Sequence, residues 1–219
     1  MITPEQVRND PAIGAYIQKA DESLLTLGYT EHSLAHVGKV AAEARRILLE
    51  LGKDQRQADL AEIAGYLHDI GNIVNRAEHA QSGAIMAFRL LDNLGMDPAE
   101  SAEVICAIGN HDEGTAEPVS DIAAALILAD KTDVRRTRVR NKQRDTFDIH
   151  DRVNWSVQQS ELELHLDEGI ITLTLAIDTE VCSVIEYFEI FIARMKLCRR
   201  AAERLGLRFR IIINGQTIL

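Results

Sequence analysis

The first two-thirds of this 219-residue chain place apolar side chains at the spacing of a helix. The clearest stripe lies between Thr30 and Gly52, where apolar residues recur three and four positions apart. Its members are Leu34, Val37, Val40, Ala41, Ala44, Ile47, Leu48 and Leu51. Further helix starts are marked by a proline after a capping residue, at Thr3-Pro4, Asp10-Pro11 and Asp97-Pro98. These patterns predict a set of packed helices.

The later helices of this part are predicted to begin or end beside histidine and aspartate residues. The pattern puts His68 and Asp69 at the end of a helix capped by Asp54, His79 at the start of the next, His111 at the end of the one after, and Asp130 on a helix that starts near Ser120. Residues 72–77 are predicted to form a loop. Polar groups at several helix ends can meet at one end of a bundle.

The last third of the chain changes to a period of two. Residues 161–177 read ELELHLDEGIITLTLAI, with the turn at Asp167-Glu168-Gly169. This alternation is typical of a β-hairpin. A helix over 180–205, capped by Thr179, and a strand over 207–213 are predicted to follow, which makes a ββαβ module.

Six side chains with metal-binding chemistry stand out in the chain. They are His36, His68, Asp69, His79, His111 and Asp130. Imidazole is the commonest metal ligand in proteins and a carboxylate can bridge two ions, so the set predicts a site for one or two metals. A single histidine is more often a surface or core residue. We interpret His32 in that way, on the same helix face as His36.

The chemistry of the ligand set narrows the choice of ion. A shell of imidazoles and carboxylates suits iron or manganese, with magnesium, cobalt, nickel and zinc as alternatives. A divalent ion lowers the pKa of a bound water and so provides a nucleophile at neutral pH.

Composition is that of an ordinary folded protein, with 46% hydrophobic and 26% charged residues. The longest apolar run, IAAALILA at 122–129, is too short to span a membrane, and MITPEQVRND at the N-terminus is not a secretory signal. The three cysteines are widely spaced and match no disulfide or metal motif. We therefore expect a cytoplasmic location and no membrane partner.

Charge is unevenly distributed along the chain, whose net charge is −10. Residues 1–130 hold 9 basic and 21 acidic side chains, whereas residues 131–219 hold 15 and 13. An acidic protein is a poor general binder of nucleic acid. Much of the basic excess lies in residues 131–144, and a basic run beside a metal site favours a small phosphorylated ligand.

The order of His36, His68-Asp69 within LHDIGN, and Asp130 within LADKTD resembles the signature of the HD-domain metal-dependent phosphohydrolases. The resemblance covers roughly residues 30–145. It implies that these four side chains bind one metal ion, and that His68 and Asp69 belong to the catalytic site. It also implies a helical bundle of the HD type.

His79 in EHAQSGA and His111 in IGNHDEG resemble the additional histidines of two-metal members of the superfamily. These members include bacterial diadenosine tetraphosphate hydrolases and cyclic-di-nucleotide phosphodiesterases, and the resemblance implies that Asp69 bridges the ions. The alternative is a one-metal site with polar helix caps around it. Asn72 stands where the signalling phosphodiesterases carry lysine, and their GYP tripeptide is absent, which argues against cyclic-di-GMP turnover.

Pattern and resemblance together predict a mainly α fold. We expect an HD-type helical metal-binding domain over 1–148 and a small α+β (ββαβ) module over 149–219. The boundary falls at a second His-Asp dipeptide, His150-Asp151, which we interpret as a linker.

Three basic residues are candidates for substrate binding. If the helix that bears Asp130 continues, Lys131 and Arg135 lie on one face near the metals and can attract phosphate. Arg76, in the loop before His79, is a similar candidate. For most of the basic run the alternative is a solvated helix face that pairs with the acidic part of the chain.

We interpret the chain as a metal-dependent phosphohydrolase that acts on a nucleotide or another small phosphoester, as a phosphomonoesterase or phosphodiesterase. The alternative is a non-catalytic nucleotide-sensing protein whose C-terminal module mediates interaction. The apolar stripe of the 180–205 helix and an edge strand at 207–213 also predict a homodimer formed at least partly through residues 150–219. The alternative is that the stripe packs on its own sheet or against the helical domain.

Overall fold

The computed structural model describes residues 1–219, which form nine α-helices and one four-stranded sheet. The helices are α1 (Pro4–Asn9), α2 (Pro11–Thr26), α3 (Leu34–Glu50), α4 (Gln55–Leu67), α5 (His79–Leu94), α6 (Pro98–Gly109), α7 (Asp121–Lys131), α8 (Ile149–Ser156) and α9 (Val184–Arg204). The strands are β1 (Val157–His165), β2 (Ile170–Ile177), β3 (Arg208–Ile213) and β4 (Gln216–Thr217). A bundle of helices with a small C-terminal sheet confirms the predicted fold class.

Helix α3 begins later than the sequence predicted. Ser33, not Thr30, is its N-cap, because the Ser33 hydroxyl accepts a hydrogen bond from the amide of Ala35 at 3.1 Å. His32 therefore precedes the helix and does not share a helix face with His36, so that part of the prediction is wrong. The ring of His32 instead has its Nδ1 2.7 Å from the carbonyl of Thr30.

The centre of the bundle is helix α7, whose residues 122–129 are all buried. A helix that is apolar on every side must be surrounded, and α3, α4, α6 and α9 all pack against it. Helices α3 and α4 also approach closely, because a side chain at Gly65 would place its Cβ only 2.7 Å from the Cα of Ala41. This packing brings the ends of α4 and α7 next to the face of α3.

A short 3₁₀ turn, Ile70–Ile73, follows the His68-Asp69 pair and presses against the start of α5. Gly71 makes the contact possible, since a Cβ there would lie 2.0 Å from the carbonyl oxygen of His79. The predicted 72–77 loop is thus shorter than expected. The close approach places His79 beside Asp69.

The C-terminal module has the predicted ββαβ order with three differences at its edges. β1 and β2 form the antiparallel hairpin, with Leu162 opposite Leu173, and β3 lies parallel to β2 after the α9 crossover. Helix α9 is capped by Ser183 through a capping box with Glu186, not by Thr179. The short strand β4 was not predicted, and the His150-Asp151 pair that was interpreted as a linker lies within helix α8.

The basic segment after Asp130 is not a continuous helix, so the helical faces predicted for residues 131–144 do not exist. Helix α7 ends at Lys131, and only short 3₁₀ turns occur at 136–138 and 144–146. The Thr132 hydroxyl bonds back to the carbonyl of Leu128 at 2.7 Å. Several β-branched residues in this segment also disfavour a helix.

The two predicted domains share one hydrophobic core. A single cluster of 54 buried residues runs from Ile2 to Ile213, and α9 packs on α7. Two apolar side chains of α9, Ile185 and Ile192, are 70% and 44% exposed. The boundary at 148/149 and the homodimer stay predictions. No helix combines the length and the apolar composition that a membrane span needs.

Candidate metal centre

The fold brings all six predicted ligands to one buried point. His36 lies on α3, His68 and Asp69 follow α4, His79 opens α5, His111 follows α6, and Asp130 lies in the last turn of α7. Five of them are buried, and the side chain of Asp130 is 11% exposed. The helix ends meet because α3, α4 and α6 all pack around α7.

Four of these side chains form a first cluster. His36 Nε2 lies 3.4 Å from Asp130 Oδ1 and 3.5 Å from Asp69 Oδ2. His68 Nε2 lies 3.6 Å and 3.2 Å from the same two oxygens. These four atoms face one another without hydrogen-bond geometry. Ligand atoms around a common metal ion have this arrangement.

Three atoms of this cluster are buried without any hydrogen-bond partner in the chain. They are His36 Nε2, His68 Nε2 and Asp69 Oδ2. A buried polar atom without a partner costs on the order of 1–3 kcal/mol, so three at one point call for an occupant. A divalent cation fits this donor set, which is two imidazole nitrogens and two carboxylates.

The remaining two histidines form a second cluster on the other side of Asp69. His79 Nε2 lies 3.2 Å from His111 Nε2 and 3.6 Å from Asp69 Oδ1. Two unprotonated nitrogens this close repel each other unless a cation lies between or beside them. Asp69 thus presents one oxygen to each cluster, which is the position a bridging carboxylate needs.

In His68, His79 and His111, Nδ1 donates a hydrogen bond to the main-chain carbonyl of the residue three positions earlier. The distances are 2.8 Å for His68 to Gly65, 3.1 Å for His79 to Arg76, and 2.6 Å for His111 to Ile108. Because a carbonyl only accepts, Nδ1 carries a proton in each of them, and Nε2 is the ring nitrogen that faces the centre. The Gly65 and Ile108 carbonyls belong to the last turns of α4 and α6, where the helix offers them no donor.

His36 is oriented differently, by the carboxylate of Asp133. Its Nδ1 lies 2.8 Å from Asp133 Oδ2, while Lys39 donates to Oδ1 at 2.7 Å. This is the carboxylate–histidine arrangement that orients metal ligands. The sequence reasoning missed Asp133, although its place three residues after Asp130 in LADKTD was a usable signal.

Electrostatics keeps the two carboxylates ionised. Burial alone raises the pKa of Asp69, but His68 and His32 outweigh it and hold that pKa well below its usual range. Burial likewise opposes ionisation of Asp130, and the adjacent Lys131 contributes most to lowering its pKa well below the usual range. The centre therefore offers two negative charges to a cation at neutral pH.

The imidazoles fall into two groups by the direction in which their pKa is shifted. Burial lowers the pKa of His68, but Asp69 and Asp130 outweigh it and raise that pKa to about 10. Burial and the nearby Lys131 lower the pKa of His111 to about 3, and burial also lowers the pKa of His79. His79 and His111 are thus neutral and ready to coordinate, whereas His68 must lose a proton to do so.

Of the three basic residues predicted to bind substrate, two border this centre. The Nζ of the buried Lys131 lies 2.6 Å from Asp130 Oδ2, and Arg76 Nη1 lies 3.3 Å from His79 Nε2. Arg135 instead donates to Asp133 and to Thr137, and contacts none of the six ligands. The predicted role of Arg135 required helix α7 to continue past Lys131, where the helix ends.

Comparison with known proteins agrees with this geometry. Residues 33–135 match the family model of the HD domain, a segment that contains all six ligands and Asp133. The chain is 27% identical over 176 residues to an uncharacterized protein of Methanocaldococcus jannaschii, across 70% of this chain and 67% of that protein. It is 34% identical over 122 residues to ribonuclease Y of Sulfurovum sp. and 31% to that of Bacillus subtilis, across 54% of this chain.

The two ribonuclease Y matches span 22% and 21% of those proteins, so the likeness concerns one segment of each. That segment is long enough to hold an HD domain. The similarity to the HD domain thus covers residues 33–135, just under half of this chain.

Proposed function

We propose that this protein hydrolyses a nucleotide or another small phosphoester at the HD centre. The observation that carries the proposal is the set of buried, unpartnered Nε2 and Oδ atoms that face one point. A divalent ion held there supplies Lewis acidity and a water of lowered pKa. Such a centre suits attack on phosphorus without a covalent intermediate.

The side chains of the chain take distinct roles in this proposal. Asp69 and Asp130 provide the negative charge that holds the cations, and His68 shares the first cluster with them. Arg76 and Lys131 are the cations nearest the ligands and attract the phosphoryl oxygens. Asp133 keeps His36 oriented.

Two ions per chain are expected, with iron or manganese as the proposed metals. The second cluster supports this number, because His79 Nε2 lies 3.6 Å from Asp69 Oδ1 and 3.2 Å from His111 Nε2, while the first cluster faces Oδ2. Elemental analysis of protein prepared without chelator should give close to two ions per chain. A value that stays at one under excess metal would remove His79 and His111 from the ligand set.

The substrate is proposed to be small rather than an RNA. Ribonuclease Y is similar to this chain over about a fifth of its length only, and the net charge of −10 disfavours contact with a polyanion. The metal-loaded protein should release product in a screen of phosphomonoesters and phosphodiesters and leave single-stranded RNA intact. Cleavage of RNA alone would contradict the proposed substrate class.

Nucleotide binding without turnover by the metal-loaded protein would instead identify a sensor, and the enzymatic proposal would be wrong. All three cysteines are free thiols, in keeping with a cytoplasmic location as part of the proposal.

A further inference from the structure

A polar cavity of about 350 Å³ lies next to the metal centre. The side chains that matter in its wall are Tyr29, His32, Arg76, Arg138, Phe191 and Arg194. Of all its lining residues, only Arg76 lies within the segment 33–135 that matches the HD domain. The cavity is therefore built almost entirely by parts of the chain outside that segment, including helix α9.

None of the six candidate ligands lines the cavity, but two of its lining residues contact them. Arg76 lines the cavity and also places Nη1 3.3 Å from His79 Nε2. The ring of His32, another lining residue, lies with its centroid 5.5 Å from that of His36. The cavity thus lies one side chain away from the candidate metal centre.

Three guanidinium groups share the cavity, and each has donors to spare. Arg76 has no carboxylate partner within 4.0 Å, and its Nε and Nη2 make no hydrogen bond in the chain. Arg138 uses Nε and Nη1 on main-chain carbonyls at 2.9 Å, which leaves Nη2. Arg194 pairs with Glu113 through Nε only.

Like charges in one cavity are unfavourable unless an anion joins them. Arg138 and Arg194 are close enough to affect each other, because burial and the nearby charge of Arg194 both contribute to lowering the pKa of Arg138. Two carboxylates also line the cavity, but neither lies within 4.0 Å of a nitrogen of these arginines. Asp148 instead caps α8 by accepting from the amide of Asp151, and Asp151 accepts from Asn141. The free guanidinium donors are thus available to a ligand.

We propose that this cavity binds the part of the substrate beyond the scissile phosphoryl group, and that the substrate carries a second anionic group there. The inference rests on the proposed function. Helix α9 takes part in it through Arg194, so the C-terminal module completes the substrate site. The volume lies at the lower end of the range for small-molecule sites, which fits a compact bisphosphate or nucleoside diphosphate.

The test compares two arginines of the same helix. Arg194 pairs with Glu113 and lines the cavity, whereas Arg200 pairs with Glu117 in the same loop and does not. Each variant is assayed with AMP, ADP and adenosine 3′,5′-bisphosphate. The wild-type protein should show a KM about tenfold lower for at least one doubly phosphorylated compound than for AMP, since a charge-assisted contact of this strength corresponds to about that factor.

Arg194→Ala should lose this preference, with kcat changed far less than KM, and Arg200→Ala should keep it. Arg194→Gln, which keeps a polar nitrogen at the position where Arg194 Nε approaches Glu113, should also lose it, which separates the effect from a folding defect. If the wild-type protein hydrolyses AMP without any preference, or if both Arg194 variants keep the preference, the cavity assignment is wrong and the proposed function stands.

If no phosphoester is hydrolysed, the proposed function fails, and the cavity is then tested by binding alone. Calorimetric titration of metal-free protein with adenosine 3′,5′-bisphosphate should show binding that weakens about tenfold in Arg194→Ala and stays unchanged in Arg200→Ala. Equal affinity in the wild type and Arg194→Ala, or no binding at millimolar concentration, would overturn the inference.

Discussion

Replacing Asp69 with alanine is expected to reduce phosphoester hydrolysis by at least about a thousandfold, because in the proposed function the activated water depends on metal ions that this residue would hold. Asp69 presents Oδ2 to His68 at 3.2 Å and Oδ1 to His79 at 3.6 Å, so its loss removes a ligand from both clusters. Turnover and metal content of the purified variant are the measurements, with circular dichroism to show that the helices remain.

The matched control is Asp92→Ala, which removes an exposed carboxylate from α5 that pairs only with Arg89. That variant should keep both its metal and its activity. Full turnover by Asp69→Ala would exclude the HD centre as the site of the chemistry.

Removal of metal is expected to lower the thermal stability of the wild-type protein substantially. Without a cation, two buried carboxylates and the unpartnered nitrogens of His36 and His68 lose their common partner. At free metal about a thousandfold above Kd, binding to the folded state alone adds about 4 kcal/mol. For a chain of this size that raises Tm by roughly 8–16 °C, which scanning calorimetry with and without chelator would measure.

Two variants sharpen this comparison. His165→Ala, which changes a histidine of β1 outside the centre, should show the same dependence on metal as the wild type. The Tm of Asp69→Ala should depend little on metal. An identical Tm for wild-type protein with and without chelator would mean that no stabilising ion binds.

The helices and the hairpin could be predicted because their signals are local. Each signal involves only a few neighbouring residues. A proline after a capping residue marks the starts of α2 and α6, a stripe at helical spacing marks a helix, and strict alternation marks the β1–β2 hairpin. The meeting of the six candidate ligands could be predicted because polar side chains at the ends of several packed helices can lie at one end of a bundle, while their binding of metal stays a prediction. The segment after Asp130 could not, because its path depends on bonds from Asp133 to residues far away in the chain, such as His36.

The wall of the cavity was equally beyond sequence reasoning. Arg138 and Arg194 read as ordinary members of a basic run and of a long amphipathic helix. Only the packing of α9 on α7 brings Arg194 to the same space as Arg76, which lies more than a hundred residues earlier. Contacts of this kind leave no periodic trace in the sequence.

The hydrogen bonds from Nδ1 of His68, His79 and His111 to the carbonyl three residues earlier have an evolutionary consequence. At the ends of α4 and α6 the acceptor is a main-chain group that every sequence possesses, so a histidine there arrives with its orientation already supplied. A ligand such as His111 can be gained or lost by one substitution, without a compensating change elsewhere. His36 differs, because its orientation depends on Asp133, and those two positions must change together. We therefore expect the number of ions to vary among such centres more readily than the pairing of His36 with Asp133.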